Sequence, residues 1–214
     1  MGLPAQKIRK GGIKLGIPVL ILGESGAGKS ASLRNFKPGE ILVFNVANKP
    51  LPFREKLDQL EKAGYRAIFT ALKEHKYKRY VVDDSQYLLA FESFAKAKEP
   101  GYQKFTDMAL HFYSRIKNVT EELPDDTLVY FLHHVQKTDY GVKAKTIGKM
   151  LDDQLTVEGL FSIVLMAESD NGRYYFRTQT NGNDTVKSPI GMFEREIDND
   201  LKQADQKIRE YWGI

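Results

Sequence analysis

Residues 17–30 read IPVLILGESGAGKS, and this stretch decides the fold. Its first half, Ile17–Leu22, is nearly all apolar, contains β-branched residues and is bounded by glycines, so it predicts a short strand buried on both faces. Its second half, Gly23–Ser30, matches the pattern G-x-x-x-x-G-K-[ST] in full. Apolar residues at spacings of three and four over Ser30–Phe36 predict a helix directly after it. The predicted order is strand, glycine-rich loop and helix.

The glycine-rich loop has the composition of a phosphate-binding loop. Its glycines let backbone N–H groups wrap phosphates, and the helix after Gly28 points its positive end at them. Lys29 is expected to reach the β- and γ-phosphates, and the Ser30 hydroxyl to ligate Mg²⁺. We therefore expect a nucleoside triphosphate here, ATP with Mg²⁺; the competing interpretation is a glycine-rich turn without a ligand. The expected nucleotide-binding residues are Gly23, Glu24, Ser25, Gly26, Ala27, Gly28, Lys29, Ser30 and Ala31.

The rest of the chain alternates between apolar runs and helical patterns. The further predicted strands are Ile41–Val46, Tyr80–Val82, Leu128–Leu132 and Ile163–Met166. The further predicted helices are Phe53–Ala63, Gln86–Ala97, Phe105–Val119 and Met150–Leu160. This alternation predicts an α/β fold, with a mainly parallel central sheet covered by helices on both faces.

The pattern changes after about residue 161. Two apolar runs, Ser162–Ala167 and Tyr174–Thr180, flank an Asn-Gly pair, which predicts an antiparallel hairpin at one edge of the sheet. Phe193–Tyr211 is polar with sparse apolar positions and predicts a terminal helix. The expected organisation is one domain over residues 1–214, with a basic N-terminal segment, 1–15, and a C-terminal helical tail, 193–214.

Carboxylates and histidines follow two of the predicted central strands. Asp83 directly follows a buried run, where a triphosphate site needs a carboxylate for its metal. Asp84 can orient an attacking water, or alternatively cap the helix that begins at Ser85-Gln86. His133 and His134 end the next strand; adjacent residues of a strand point to opposite sides, which disfavours a zinc site. We expect His134 to lie at the site and His133 to be packed or solvated.

Composition narrows the environment and the partners. The chain has no cysteine and a net charge of +4, so disulfides and thiolate zinc sites are excluded and nucleic-acid binding is not established by charge alone. No apolar run is long enough for a membrane span, and the N-terminus lacks the apolar stretch of a signal peptide. We expect a cytoplasmic protein without a membrane partner.

The order of these motifs resembles that of RecA-fold P-loop ATPases. Among them, the chain is similar to small phage nucleotide-binding proteins of the RecA-like single-strand annealing (Sak-four) type. The resemblance spans residues 15–190 and is carried by the phosphate loop, two strand ends, a lysine-rich loop and a late hairpin. These stretches are Gly23–Ser30, Val81–Asp84, Phe131–His134, Lys143–Lys149 and Thr185–Pro189. Only the first is highly specific; the others are similar at the level of pattern.

The resemblance implies roles for several residues. It places His134 where RecA has a phosphate-sensing glutamine, and the segment from Gln136 to Gly148 where RecA has a DNA-binding loop. Lys187, with Arg177 as a second candidate, is implied to act across a subunit interface on the neighbour's triphosphate. One region departs from the family pattern: Phe44–Lys49 contains no counterpart of the water-activating glutamate. The departure implies either that Asp84 takes this role or that hydrolysis is slow.

The implied function is an ATPase that binds single-stranded DNA and promotes annealing or strand exchange as a homo-oligomer, in a filament or ring. DNA phosphates would meet Lys143, Lys145 and Lys149, and Tyr140 would stack on a base. A single-stranded-DNA-binding protein is a further candidate partner, and a phage-encoded chain would act in the cytoplasm of its bacterial host. The alternative is an ATPase switch or packaging-type protein that acts on a protein partner. A small-molecule kinase is disfavoured because no arginine-rich lid is present.

Overall fold

The computed structural model describes residues 15–139 and 141–214, and within these ranges nine strands form one mixed sheet. The strands are β1 (Ile17–Gly23), β2 (Leu42–Asn45), β3 (Asp58–Glu61), β4 (Arg79–Asp83), β5 (Leu128–Thr138), β6 (Gly141–Ala144), β7 (Ile163–Asp170), β8 (Arg173–Arg177) and β9 (Glu196–Asp198). The helices are α1 (Tyr65–Lys73), α2 (Gln86–Ala95), α3 (Gln103–Glu122), α4 (Lys149–Asp153) and α5 (Leu201–Trp212), with 3₁₀ turns at Ser30–Leu33 and Val157–Leu160. The basic N-terminal segment lies almost entirely outside the described residues.

The sheet has the order β3-β2-β4-β5-β1-β7-β8-β9, and β6 pairs with the end of β5. The six strands from β3 to β7 in this order run parallel, and every residue of β1 is buried, as its apolar run predicts. The chain leaves β1 toward β2 on one side, whereas it leaves β5 toward β7 on the other. Open α/β sheets bind ligands at the carboxyl ends of strands beside such a switch point.

Two apolar cores cover the two faces of this sheet. Successive residues of β1 alternate between them: Leu20 and Leu22 belong to one core, and Val19 and Ile21 to the other. Helices α1 to α4 contribute to the first core, and α5 with the 3₁₀ turn Ser30–Leu33 to the second. The predicted α/β fold, with a mostly parallel sheet and helices on both faces, is confirmed.

The predicted antiparallel hairpin is also confirmed. Strands β7 and β8 pair from Met166↔Arg177 to Asp170↔Arg173. The turn between them, Asn171-Gly172, has positive φ at both residues, 47° and 82°, as a two-residue type I′ turn requires. Strand β9 adds to β8 and extends the antiparallel edge.

The predicted helix Phe53–Ala63 is wrong. Its apolar residues have helical spacing, but the segment contains β3, which pairs in parallel with β2. Pairing satisfies the backbone groups of the edge of β2, and this tertiary contact overrides the local spacing. The helix lies further on, at Tyr65–Lys73, where Ile68 and Leu72 face the core.

Three other predicted helices are shorter than expected. The helix Ser30–Phe36 is only a 3₁₀ turn, Ser30–Leu33, because the Ser32 hydroxyl donates to the Lys29 carbonyl oxygen at 2.6 Å and favours a turn. Met150–Leu160 divides into α4 and a second 3₁₀ turn, with an extended Thr156 between them. Phe193–Tyr211 begins with β9, and its helix starts only at Leu201, where the Asp200 side chain caps α5.

A buried carboxylate joins α5 to the sheet. Asp205 is fully buried and accepts hydrogen bonds from Arg79 Nε at 2.6 Å, Arg209 Nε at 2.9 Å and the Tyr130 hydroxyl at 2.8 Å. These donors come from β4, α5 and β5, so one carboxylate fixes the helix against two neighbouring strands. Burial raises the pKa of Tyr130, and the Asp205 charge raises it further, which keeps this phenol a donor.

Among the described residues, no helix is both long and apolar enough to cross a membrane.

Candidate functional site

A cleft of about 310 Å³ lies at the carboxyl edge of the parallel strands, beside the switch point. Side chains from the segments after β1, β2 and β4 and from within β5 line it, because the register brings the ends of β1, β2 and β4 level with His134 of β5. Gly23 is opposite His134, and Asn45 is opposite Asp83. The lining includes Lys29, Ser30, Lys49, Asp84, His134 and Tyr174.

The loop Gly23–Ser30 closes around the side chain of Lys29. Lys29 Nζ donates to the carbonyl oxygens of Gly23 at 2.7 Å and Glu24 at 2.8 Å, and the residue is only 6% exposed. Burial lowers the pKa of Lys29 to about 8, although the carboxylates of Asp84 and Asp83 oppose this shift. A phosphate beside this ammonium would stabilise its charged form, because an opposite charge raises the pKa of a lysine.

Two glycines of the loop have conformations that other residues rarely adopt. Gly26 has φ 84° and Gly28 has φ 90°. At Gly28 an added Cβ would also lie 2.9 Å from the Tyr174 ring and 3.1 Å from the Asn199 amide nitrogen. Position 28 therefore requires glycine for two reasons: its backbone has a positive φ, and there is no room for a Cβ atom.

Ser30 and Asp83, the two predicted metal ligands, are hydrogen-bonded to each other. Ser30 Oγ donates to Asp83 Oδ1 at 2.7 Å, and Asp83 is only 6% exposed. Burial raises the pKa of Asp83, and the neighbouring charge of Asp84 adds to this rise. Within the described ranges, no group of three or more His, Cys, Asp or Glu side chains could hold a metal ion. The pair Ser30 and Asp83 still fits Mg²⁺, which takes few protein oxygens and completes its shell with water and phosphate.

Asp84 lies in the cleft and does not cap α2. Its backbone is left-handed, with φ 58°, and the first residues of α2 have no side-chain cap. Its carboxylate accepts a hydrogen bond from His134 Nε2 at 3.1 Å and forms an ion pair with Lys49 Nζ at 2.5 Å. Burial alone would raise the pKa of Asp84, but these two partners lower it below its ordinary value. The helix-cap alternative is therefore wrong, and Asp84 is an ionised acceptor at the site.

The two histidines separate as expected. His134 lines the cleft, whereas His133 is fully buried beneath it. His133 Nε2 donates to the Lys145 carbonyl oxygen at 2.9 Å, so in the neutral ring Nδ1 accepts from Ser85 Oγ at 2.8 Å. Burial lowers the pKa of His133 to about 4. This ring links the Asp84-Ser85 segment to the end of β6.

Acid should weaken the fold through His133. Its folded pKa of about 4 lies below its ordinary value of 6.5, so the unfolded chain takes up the proton first as the pH falls. The stability present above pH 6.5 is lost progressively toward pH 4, and the loss reaches about 2 kcal/mol at pH 5. Urea unfolding at pH 7.5 and at pH 5.0 measures how much the free energy of unfolding falls between these pH values. The fall should be about 2 kcal/mol larger for the wild type than for His133→Gln. Equal losses would show that His133 does not carry this pH dependence.

Arg177 is buried and ion-paired within its own chain. It is 7% exposed, and its guanidinium pairs with Glu168 at 2.9 Å and Asp184 at 2.7 Å. Burial opposes its charge, but these hydrogen-bonded carboxylates raise the pKa of Arg177. Its charge is neutralised within its own chain, and action of Arg177 on another subunit's triphosphate stays a prediction.

Lys187 has a different environment. Its side chain is exposed, and its backbone pairs with Val164 of β7. Val164 precedes Ala167, the residue beside Gly23, by three positions, or about 10 Å along a strand. Lys187 therefore lies away from the phosphate loop of its own chain, and its action across a subunit interface stays a prediction.

The expected DNA-binding loop, Gln136 to Gly148, is largely a hairpin. Strand β5 continues to Thr138 and pairs with β6, from Val135↔Ala144 to Thr138↔Gly141. Tyr140 lies outside the described residues. Lys145 and Lys149 are exposed, whereas Lys143 is half-buried and pairs with Asp152 at 2.9 Å. The structure thus leaves Lys145 and Lys149 as the more accessible of the three predicted lysines.

The sequence interpretation missed three residues that line the cleft, Lys49, Pro52 and Tyr174. Lys49 follows β2, and Tyr174, 48% exposed, begins the outer strand of the β7–β8 hairpin. A signal for Lys49 was present, because β2 is a predicted parallel strand whose carboxyl end reaches the same edge as Asp83. No local signal identifies Tyr174, whose approach to Gly28 depends on how the hairpin folds back.

Comparison with protein-family models gives no match to this chain, and comparison with curated proteins gives none either.

Proposed function

We propose that this chain binds ATP with Mg²⁺ in the cleft and hydrolyses it. The observation that carries the proposal is the position of Lys29, whose buried ammonium is held by two loop carbonyl oxygens next to the Ser30–Asp83 pair. A buried cation and a pair of hard oxygen ligands beside left-handed glycines suit a polyphosphate and its metal. A glycine-rich turn without a ligand offers no reason for a lysine to be buried there.

The residues divide the work of hydrolysis as follows. Lys29 binds the β- and γ-phosphates, and Ser30 and Asp83 would hold Mg²⁺. When bound, the metal neutralises charge on the phosphate oxygens. Asp84 accepts a hydrogen bond from the attacking water, and His134, hydrogen-bonded to Asp84, fixes the direction of that carboxylate. Water attacks the γ-phosphorus, the bond to the bridging oxygen breaks, and the products are ADP, phosphate and a proton.

The proposed biological role follows the resemblance to RecA-fold P-loop ATPases of the single-strand annealing type. The chain would form a homo-oligomer on single-stranded DNA and promote annealing or strand exchange. In support, the exposed Lys145 and Lys149 follow the β5–β6 hairpin, which is joined to the phosphate loop by an ion pair between Lys137 and Glu24 at 2.6 Å. The Lys137–Glu24 ion pair and the hydrogen bonds of His133 both connect the cleft to the hairpin, so a structural change in the cleft can alter the hairpin.

DNA binding should depend on the hairpin lysines. Changing Lys143, Lys145 and Lys149 together to alanine should weaken binding of a single-stranded oligonucleotide, because each lost phosphate contact lowers the salt slope by about 0.7. Fluorescence anisotropy at several salt concentrations measures both quantities. A charge-matched control is the triple alanine variant of Lys37, Lys73 and Lys76, which lie outside the hairpin and should bind nearly as wild type. Equal affinities and salt slopes for the two triple variants would remove the support for DNA binding through this hairpin.

A second candidate function, an ATPase that acts on a protein partner, is favoured by one surface feature. Four large apolar side chains on or beside α2 and α3 are exposed: Phe91 is 47% exposed, Phe94 76%, Tyr102 88% and Leu110 48%. Apolar clusters of this kind often mark protein contacts. A wild type that hydrolyses ATP but binds no oligonucleotide would favour this alternative.

A further inference from the structure

Lys49 lies at the rim of the nucleotide cleft, opposite the phosphate loop. It follows β2 and lines the same cleft as Lys29 and Ser30. Its side chain is 60% exposed, and its Nζ lies 2.5 Å from Asp84 Oδ2, while Asp84 itself is almost completely buried. Lys49 therefore places a solvent-accessible positive charge beside the carboxylate that faces the attacking water in the proposed reaction.

The backbone of Lys49 is fixed by a buried side chain. Asn45, only 5% exposed, donates from Nδ2 to the Lys49 carbonyl oxygen at 2.7 Å and accepts from the Lys49 N–H at 3.1 Å. Between them, Asn48 has φ 54°, a left-handed conformation that tightens the turn. A flexible surface lysine needs none of these constraints. The turn holds Lys49 at one position relative to the end of β2.

The chemistry of the ammonium group allows Lys49 to serve two anions at once. A lysine has three N–H donors, and the Asp84 contact occupies one of them. The remaining donors can bind a phosphate in the cleft while the ion pair with Asp84 is kept. Such a phosphate also needs a cation beside Asp84, because the carboxylate of Asp84 lines the cleft and would repel it.

We propose that Lys49 binds the terminal phosphate of a nucleoside triphosphate and gives the cleft its preference for a triphosphate over a diphosphate. This inference rests on the proposed nucleotide site. Lys29 is enclosed by the phosphate loop and would serve either nucleotide, whereas Lys49 lies beside Asp84, where the proposed reaction places the terminal phosphate. Lys49 belongs to the segment Phe44–Lys49, which contains no carboxylate. The chain after β2 therefore contributes a cation, and no acid, to the cleft.

The test is the ratio of two affinities, measured by titration calorimetry with Mg²⁺. A non-hydrolysable ATP analogue and ADP are titrated into wild type, Lys49→Gln, Lys49→Arg and Lys37→Gln. Lys37 is a matched control, because it is 61% exposed and forms a surface ion pair with Glu55 outside the cleft. Lys49→Gln should lower the preference for the triphosphate about tenfold and leave ADP affinity within about twofold. Lys49→Arg should keep most of the preference, and Lys37→Gln all of it.

The outcomes separate this inference from the function on which it rests. An unchanged preference in Lys49→Gln overturns the inference alone, as does an equal loss of affinity for both nucleotides, which would indicate a general effect of charge. A wild type that binds neither nucleotide contradicts the proposed function and the inference together. An unchanged melting temperature for Lys49→Gln shows that the fold is intact.

Discussion

Replacing Lys29 with alanine is expected to lower Mg²⁺-dependent ATP turnover by about 100-fold or more. The substitution removes the one ammonium group that the phosphate loop encloses, held by the carbonyl oxygens of Gly23 and Glu24. A phosphate bound in this loop would lose its principal positive partner. The negative charge that develops on its oxygens during transfer would no longer be stabilised by the Lys29 ammonium. Steady-state release of phosphate, measured at saturating DNA and at several ATP concentrations, gives the effect on turnover and on binding.

The matched control for this experiment is Lys37→Ala, a lysine on the surface outside the cleft. It should hydrolyse ATP at the wild-type rate. Lys29→Ala should remain folded, because burial disfavours the charged ammonium and its removal relieves that cost; circular dichroism and thermal unfolding check this. Wild-type turnover in a folded Lys29→Ala variant would show that the phosphate loop is not where ATP is hydrolysed.

Replacing Asp205 with alanine is expected to destabilise the fold by about 3–5 kcal/mol. The carboxylate is fully buried and holds Arg79 and Arg209, so its removal leaves two guanidinium groups without their shared partner. The Tyr130 hydroxyl also loses its acceptor. Removing one partner of a buried ion pair is costly because the other charge stays buried without a partner, even where the intact pair adds little to the free energy of unfolding. Urea unfolding at pH 7.5 measures the change in free energy.

Glu210→Ala provides the control within the same helix. Glu210 is exposed on α5, and its loss should change the free energy of unfolding by no more than about 0.5 kcal/mol. If Asp205→Ala were as stable as Glu210→Ala, the contact between α5 and the starts of β4 and β5 would not be as the structure describes it.

The central strands could be predicted from the sequence because their cause is local. Ile17–Leu22 and Leu128–Leu132 are continuous apolar runs, and both are buried parallel strands. Strand β3 could not be predicted in this way. Asp58–Glu61 is polar, and it is a strand only because the edge of β2 offers backbone partners. Phe53 and Leu57 before this strand and Leu60 within it repeat at helical spacing, so the local pattern favoured the wrong element.

Some features of the candidate site could likewise be predicted from local sequence, whereas others depend on the folded chain. The phosphate loop and Asp83 could be identified because their residue types follow strands at fixed positions. The contact of Lys49 with Asp84 could not, since it joins residues that are distant in the chain and depends on the turn that Asn45 fixes. The same holds for the ion pairs of Arg177, whose neighbours Glu168 and Asp184 meet it only in the folded chain.

Titration calorimetry of ATP into the wild-type protein tests the nucleotide site most directly, with Mg²⁺ present and again with the metal chelated. The proposed site predicts saturable binding of one nucleotide per chain, weakened by removal of Mg²⁺ and lost in Lys29→Ala. No saturable binding up to about 1 mM ATP, or binding that Lys29→Ala leaves unchanged, would contradict it.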